Sequence, residues 1–127
     1  MSLRTVYSLL EEAVSKYGEA VALHQPVVTG KERSYQTWTW PQYRDAVREI
    51  ACGLRAMGVQ PGDIVALGSE TRAEFYLTDL AIMTNGSTAA ALYANSLAAD
   101  QVKALRTCGV DTRPLAAWGR LFSEDPA

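Results

Sequence analysis

From residue 40 to residue 107 the sequence alternates helical segments with short, mainly apolar runs. The apolar runs are residues 64–67 (IVAL) and 87–93 (STAAALY), and turn residues separate them from the helices. Strands that are apolar on both faces are typical of a parallel sheet buried between layers of helices. Short connections favour right-handed crossovers between such strands. The order helix, strand, helix, strand, helix therefore predicts the α/β class, with βαβ units on a parallel sheet.

The helix that begins near residue 40 has the clearest start and stop signals. Thr39 and Gln42 have the spacing of a capping box, and Pro41 lies in the first turn, where its missing N–H does no harm. Gly58 stands just past the last periodic residue, as a left-handed C-cap requires. Spacings of three and four predict a stripe that faces the core. The stripe consists of Tyr43, Val47, Ile50, Leu54 and Met57.

Two further helices are predicted downstream. Thr71 and Glu74 repeat the capping-box spacing and open a helix that ends near Asn85-Gly86. Its apolar residues surround the axis, so we expect it to be covered on both sides. A last helix, residues 97–107, is capped by Asn95 or Ser96 and closed by a glycine after Cys108. The apolar residues of the helix that Thr71 opens are Phe75, Tyr76, Leu77, Leu80, Ala81, Ile82 and Met83.

The N-terminal part predicts a helix followed by a β-hairpin. Residues 5–17 place six apolar side chains at helical spacing, and Gly18 is the stop signal. Residues 20–25 and 33–39 are rich in strand formers, with a glycine turn signal between them. The apolar helix residues are Val6, Leu9, Leu10, Ala13, Val14 and Tyr17.

The four glycines between residues 53 and 70 raise the question of a phosphate-binding loop. Gly53, Gly58, Gly62 and Gly68 match neither the dinucleotide pattern nor the P-loop pattern. Gly58 and Gly62 also follow a helix and precede a strand, whereas phosphate loops follow a strand and open a helix. We interpret this stretch as a helix-to-strand connection.

Two polar loops are candidates for ligand contact. Ser69-Glu70-Thr71 lies at the carboxyl end of a predicted parallel strand and at a helix N-terminus, where α/β sheets bind ligands. However, Glu70 would repel a phosphate, and Thr71 is explained as a cap. Residues 84–88 lie between a helix end and a strand start, so we interpret them as a C-cap.

Other polar and aromatic residues have structural explanations. The aromatic cluster of Tyr35, Trp38, Trp40 and Tyr43 could stack a ring, but packing at a helix entry is the usual reason for such residues. His24 has no acid or nucleophile at a telling spacing, and Glu11 and Glu12 are adjacent and point in different directions. The lysines, Lys16, Lys31 and Lys103, lie in polar helical or turn contexts. We therefore predict no catalytic, cofactor-binding or metal-ligating residue in this chain.

Composition excludes several classes of protein. Twelve basic and fourteen acidic residues are mixed along the chain, so neither a nucleic-acid stripe nor a polybasic membrane patch is predicted. No apolar run approaches the roughly 20 residues of a spanning helix, and the N-terminus lacks the apolar region of a secretory signal. Cys52 and Cys108 are expected to be free, buried thiols. We expect a cytoplasmic protein without a metal of its own.

Five stretches carry a family resemblance, in this order: residues 5–23 (TVYSLLEEAVSKYGEAVAL), 37–43 (TWTWPQY), 51–67 (ACGLRAMGVQPGDIVAL), 69–82 (SETRAEFYLTDLAI) and 91–96 (ALYANS). Together they resemble the opening of long-chain fatty-acid–CoA ligases, which belong to the acyl-activating, adenylate-forming superfamily of AMP-binding enzymes. The forms S-E-x-R-x-E-F and L-Y-x-x-S favour the fatty-acid branch. The resemblance implies that residues 1–127 form a partial N-terminal domain of the AMP-binding type, incomplete by itself.

The resemblance implies ATP-dependent activation of a fatty acid to an acyl-adenylate, followed by transfer to coenzyme A, with Mg²⁺ accompanying the ATP. In that family the phosphate loop, the adenine-binding segment, the ribose-binding acid and a catalytic lysine all lie downstream of the matched region. We therefore expect the chain to lack the catalytic motifs and to be inactive alone. The unpaired sheet edge also predicts self-association or docking to a chain that carries the missing part.

The chain departs from the family pattern at several positions. Thr71 and Ala73 replace the Asn and Pro common in that loop, and Ala90 stands where a proline often precedes Leu-Tyr. Residues 110–127 are interpreted as a divergent or truncated tail, because the family continues there into another buried strand. The alternative function is a non-catalytic binding or regulatory module that retains the ligase fold. A flavodoxin-like nucleotide binder is disfavoured, because the first strand-to-helix turn lacks the required glycine and hydroxyl pattern.

Overall fold

A computed structural model of the chain describes residues 4–92 and 98–110. No helix within these ranges is both long and apolar enough to cross a bilayer. The elements, in chain order, are α1 (Val6–Tyr17), β1 (Val21–Thr29), β2 (Glu32–Thr39), α2 (Trp40–Ala56), β3 (Ile64–Gly68), α3 (Ala73–Thr84), β4 (Thr88–Leu92) and α4 (Ala98–Thr107). The predicted α/β class is confirmed. Tyr93, Asn95 and Ser96, and the tail from residue 111 onward, lie outside the described residues.

The described strands form two separate pairs. β1 and β2 make an antiparallel hairpin in which Leu23 lies opposite Trp38. β3 and β4 are parallel, with Ile64 opposite Thr88, and α3 connects them. Both the hairpin and the βαβ unit were predicted from the sequence and are confirmed. The hairpin is longer than predicted, because β1 continues to Thr29.

The core lies where the first three helices meet the base of the hairpin. Its buried members come from α1, α2 and α3, and Val47 is fully buried. From the hairpin, Leu23 and Trp38 pack against this core. Burying such side chains stabilises the fold by roughly 1.5–3 kcal/mol each. The buried cluster consists of Leu10, Tyr43, Val47, Ala51, Leu77 and Ala81.

The predicted apolar stripes are only partly buried. In α1, Leu10 is buried, whereas Leu9 is 46% exposed and Tyr17 is 50% exposed. In α2, Tyr43 and Val47 are buried, but Met57 is 83% exposed. Met57 forms the C-cap of α2, so it lies past the turn that contacts the core. The prediction that all five stripe residues of α2 face the core is therefore wrong for Met57.

The prediction that β3 is buried on both faces is wrong for the described part of the chain. Leu67 is buried, but Ile64 is 39% exposed and Ala66 is also exposed. Within the described residues α3 is the helix that packs on β3. Because one helix covers one face of a strand, the side chains that alternate to the other face remain accessible. α3 itself is likewise less covered than predicted, with Tyr76 43% exposed.

The predicted second capping box is also wrong. α3 begins at Ala73, its N-cap is Arg72, and the Arg72 side chain makes no capping hydrogen bond. Thr71 is exposed and precedes the N-cap. The first capping box is confirmed, because Thr39 Oγ1 accepts from the backbone N–H of Gln42, and Gln42 Oε1 accepts from that of Thr39.

The two cysteines are free but exposed, so their predicted burial is wrong. Cys52 directly follows the buried Ala51 in α2. One residue corresponds to about 100° of rotation around a helix, which turns Cys52 away from the core. Cys108 lies just past the end of α4, next to the left-handed Gly109.

Candidate functional site

Residues 69–72, which we call the carboxyl-edge loop, connect the carboxyl end of β3 to α3. Open α/β sheets bind ligands at this edge. The Ser69 hydroxyl donates to the backbone carbonyl of Glu70 at 2.9 Å, while Glu70 and Thr71 are exposed. The structure therefore places the Ser69-Glu70-Thr71 candidate at the end of the sheet that the sequence predicted.

An ion pair lies at the junction of this loop and α3. Arg72 Nε and Nη2 donate to the two carboxylate oxygens of Glu74 at 2.6 and 3.1 Å. These hydrogen bonds hold the pKa of Glu74 below its ordinary value and raise the pKa of Arg72. Glu74 also lies in the first turn of α3, where a negative charge is favourable. The guanidinium of Arg72 is thus directed at a neighbouring carboxylate.

Gln25 of β1 supplies the hydrogen-bond acceptor that α3 lacks at its start. Its side-chain oxygen accepts from the backbone N–H of Ala73 at 2.7 Å, across 48 residues of sequence. Ala73 is buried, with only 4% of its surface exposed. This contact was missed at the sequence level, because the capping rules concern residues close to the helix start, whereas Gln25 reaches it from another element.

At the opposite end of the sheet, the connections that precede β3 and β4 are joined to each other. The N–H of Gly62 donates to the carbonyl of Gly86 at 2.9 Å, and the N–H of Thr88 donates to the carbonyl of Asp63 at 2.8 Å. Gly58 and Gly62 have φ values of +100° and +90°, which favour glycine. Gly58 and Gly62 therefore serve as turn residues in a helix-to-strand connection, as predicted, whereas Gly53 lies within α2 and Gly68 is the last residue of β3.

Asn85 and Ser87 form a buried polar network in the loop of residues 84–88. Asn85 is 7% exposed, and Ser87 is 6% exposed. Asn85 Nδ2 donates to the Ser87 hydroxyl at 2.9 Å and to the carbonyl of Val59 at 3.3 Å. The Ser87 hydroxyl in turn donates to the carbonyl of Gln60 at 3.1 Å. Asn85 is the C-cap of α3, so the predicted capping role of this loop is confirmed.

The aromatic candidates separate into two groups. Trp40 packs near Tyr43, with 6.1 Å between ring centroids, and stacks on Tyr17 at 5.6 Å. Burial raises the pKa of Tyr43 to about 12, and its hydroxyl contacts the carbonyl of Tyr76 at 3.5 Å. Tyr35 is 66% exposed and meets the edge of His24. Packing therefore explains Trp40 and Tyr43, as expected.

The acidic residues of α1 are engaged in surface pairs. Glu11 accepts from the Tyr7 hydroxyl at 2.5 Å and from Arg44 at 3.5 Å, and Glu12 accepts from Arg4 at 2.6 Å. The bond to Glu11 raises the pKa of Tyr7. In residues 4–92 and 98–110 there is no group of three or more His, Cys, Asp or Glu residues that could hold a metal ion.

Comparison with known proteins identifies the family. Residues 10–112 match the family described as AMP-binding enzyme. Two Mycobacterium tuberculosis proteins, "Uncharacterized protein Rv1549" and "Uncharacterized protein MT1599.1", are each 39% identical to this chain over 84 residues. The alignment covers 66% of this chain and 44% of the first protein or 42% of the second. The chain thus spans less than half the length of these relatives.

Solved structures share the fold. The N-terminal subdomain of NpsA from Klebsiella oxytoca superimposes with a TM-score of 0.74 at 23% identity, covering 85% of this chain and 26% of that one. O-succinylbenzoate coenzyme A synthetase (MenE) from Bacillus subtilis superimposes with a TM-score of 0.69 at 22% identity, covering 84% and 26%. The α/β fold of this chain therefore matches part of the NpsA N-terminal subdomain and part of MenE. With most of its length matched, this chain belongs to the family of AMP-binding enzymes.

Proposed function

We propose that this chain is the N-terminal scaffold of an acyl-activating ligase whose catalytic groups are supplied by another part of the enzyme. The observation that carries the proposal is the exposure of side chains on one face of β3. Its side chains at Ile64 and Ala66 are exposed although the strand is apolar and parallel to β4. Parallel sheets are almost always covered on both faces. The accessible face and edge of β3 therefore fit a surface that joins the rest of the sheet.

The reaction we propose is the formation of an acyl-adenylate from ATP·Mg²⁺ and a carboxylic acid, followed by transfer of the acyl group to coenzyme A. Family membership supports the adenylation step. The motifs S-E-x-R-x-E-F at residues 69–75 and L-Y-x-x-S at 92–96 support a fatty acid as the substrate. Aromatic acids are the competing class, because an NpsA structure contains anthranilyl-AMSN and MenE acts on O-succinylbenzoate.

The partner we propose is a polypeptide that carries the missing part of the domain, or a second copy of this chain, in the cytoplasm. An exposed strand edge is a template for pairing with another chain. An open groove with a mixed, mainly polar lining lies beside the start of β3. Its lining residues are Val59, Gly62, Asp63, Ile64, Val65, Gly109 and Val110. Sedimentation velocity is expected to show self-association of the pure chain or a complex with its partner. A monodisperse monomer that binds no such partner would argue against this surface.

Acid-dependent pyrophosphate release tests the proposed reaction. The chain alone is expected to give no release with fatty or aromatic acids. Mixed with a separately expressed polypeptide that carries the remainder of an AMP-binding domain, it is expected to give release that depends on both components, with fatty acids preferred. Release by the remainder alone, unchanged when this chain is added, would contradict the scaffold role. A preference for aromatic acids would overturn the fatty-acid assignment only.

A non-catalytic binding module is the second candidate. It is favoured by the core of α1, α2 and α3, which is packed within the described residues, with Val47 and Ala81 fully buried. A chain with such a core can remain folded without having catalytic activity. This reading predicts that the chain captures a protein partner and that no combination with the remaining domain yields acid-dependent pyrophosphate release.

A further inference from the structure

Gln25 lies at the boundary between the packed and the exposed halves of the hairpin. On one side of it in β1, Leu23 packs against the core. On the other side, Val28 is 67% exposed, and every residue from 26 to 37 is exposed. Gln25 itself is half-buried. The last point at which β1 is held against the body of the molecule is thus a polar side chain.

The start of α3 depends on this side chain. The first N–H groups of a helix have no partner inside the helix and need an acceptor from elsewhere. The N-cap, Arg72, provides none from its side chain, and Ala73 is 96% buried, which restricts replacement by water. The oxygen of Gln25, 2.7 Å from the Ala73 nitrogen, meets this need. A buried N–H that lost this acceptor would bear the full cost of its desolvation.

The amide group of Gln25 is also held in one orientation. Its Nε2 donates to the backbone carbonyl of Pro26 at 3.3 Å. This bond assigns the nitrogen to the hairpin and leaves the oxygen for Ala73. The Gln25 side chain therefore links the β1 backbone to Ala73, the first residue of α3. Ala73 directly follows the carboxyl-edge loop.

We propose that Gln25 is a positioning residue. Its hydrogen bond to the N–H of Ala73, which we call the latch, holds the β1–β2 hairpin against α3 and thereby fixes the carboxyl-edge loop, residues 69–72. The loop occupies the edge at which α/β sheets bind ligands. The latch itself is a property of this chain alone, whereas its effect on turnover rests on the proposed acyl-activating function. Displacement of the hairpin would break the hydrogen bond between Gln25 and Ala73. The start of α3 and the adjacent carboxyl-edge loop would then be free to change position.

Hydrogen exchange on the full chain tests the latch. Gln25→Leu removes the acceptor, and the amides of residues 72–75 are expected to exchange about fivefold faster, as the loss of one hydrogen bond implies. Gln25→Glu keeps an acceptor and should restore slow exchange. Gln36→Leu is the matched control, because Gln36 lies opposite Gln25 in the hairpin and should leave these amides unchanged. Unchanged exchange in Gln25→Leu, or faster exchange spread equally over α1 and α2, would overturn the proposal.

Turnover in the two-component pyrophosphate assay tests the consequence for function. Gln25→Leu is expected to lower turnover about fivefold, in line with the sensitivity of catalysis to misplaced groups, while Gln25→Glu and Gln36→Leu retain it. Full turnover in Gln25→Leu would overturn the effect on the ligand edge. If the wild-type chain supports no turnover, the proposed function fails, and the exchange experiment alone decides whether the latch exists.

Discussion

Arg55, in the last turn of α2, donates a hydrogen bond of 2.9 Å from Nε to Oδ1 of Asn85, the C-cap of α3. Arg55 Nη2 also lies 3.4 Å from the backbone carbonyl of Asn85. One guanidinium therefore serves the C-terminal ends of two helices, where a positive charge is favourable. The loops that follow these helices precede β3 and β4, so the contact joins the two connections that lead into the parallel strands.

Replacing Asn85 by Ala should destabilise the chain by about 2 kcal/mol. The substitution removes the acceptor of Arg55 Nε and the donor to Val59 and Ser87, so three hydrogen bonds of this buried network are lost. Chemical denaturation monitored by circular dichroism measures the change. Gln60→Ala is the matched control. Gln60 accepts from Ser87 through its backbone carbonyl, which the substitution to alanine keeps. Equal stability losses in the two variants would contradict a specific role for the Asn85 side chain.

Ile82→Ala should lower the free energy of unfolding by about 3–4 kcal/mol, because it leaves a cavity at a fully buried position. Ile82 is fully buried, whereas Met57 is 83% exposed. Met57→Ala should therefore change stability by less than about 0.5 kcal/mol. Thermal and urea unfolding of both variants measure this difference. A large loss in Met57→Ala would show that Met57 belongs to the apolar stripe that the sequence predicted.

The two threonines predicted as helix caps should respond differently to substitution. Thr39→Ala breaks a capping box and should cost about 1 kcal/mol. Thr71→Ala should be nearly neutral, since the N-cap of α3 is Arg72 and the N–H of Ala73 is bound by Gln25. Urea unfolding of the two variants gives the comparison. A loss of unfolding free energy in Thr71→Ala similar to that in Thr39→Ala would show that Thr71 caps α3, as the sequence predicted.

Stability should fall in alkaline solution partly because of Tyr43. Burial raises the pKa of its hydroxyl from 10.0 to about 12, so between these values the folded chain keeps a proton that the unfolded chain has lost. This contribution is complete below pH 10 and decreases as the pH rises towards 12. Tyr43→Phe should unfold with a weaker pH dependence in this window. Identical pH profiles for wild type and Tyr43→Phe, measured by urea unfolding, would exclude the effect.

Local signals in the sequence predicted the order and type of the elements. Thr39 with Gln42 marked the start of α2, and Gly58 and Gly86 marked turns in which the backbone adopts positive φ. These signals are reliable because the groups that interact are within a few residues of one another. The hairpin and the parallel βαβ unit followed from the same kind of evidence.

Long-range partners explain what the sequence did not reveal. Gln25 caps α3 across 48 residues, and no local rule can identify such an acceptor. Ile64 and Cys52 were expected to be buried because apolar residues and thiols usually are. Their exposure depends on which other elements cover β3 and on the angular position of one residue around α2. Residues 69–71 lie at the carboxyl end of β3, as predicted, whereas the hydrogen bond between Gln25 and Ala73 was not predicted.

Binding of a hydrolysis-resistant acyl-adenylate analogue to the isolated chain, measured by titration calorimetry with a fatty-acyl and an aromatic compound, tests the central claim most directly. The claim is that this polypeptide is a scaffold and does not form a complete adenylate site. We predict no saturable heat for either analogue with the chain alone, and one-to-one binding once the remaining domain is added. Saturable one-to-one binding by the isolated chain would contradict the account.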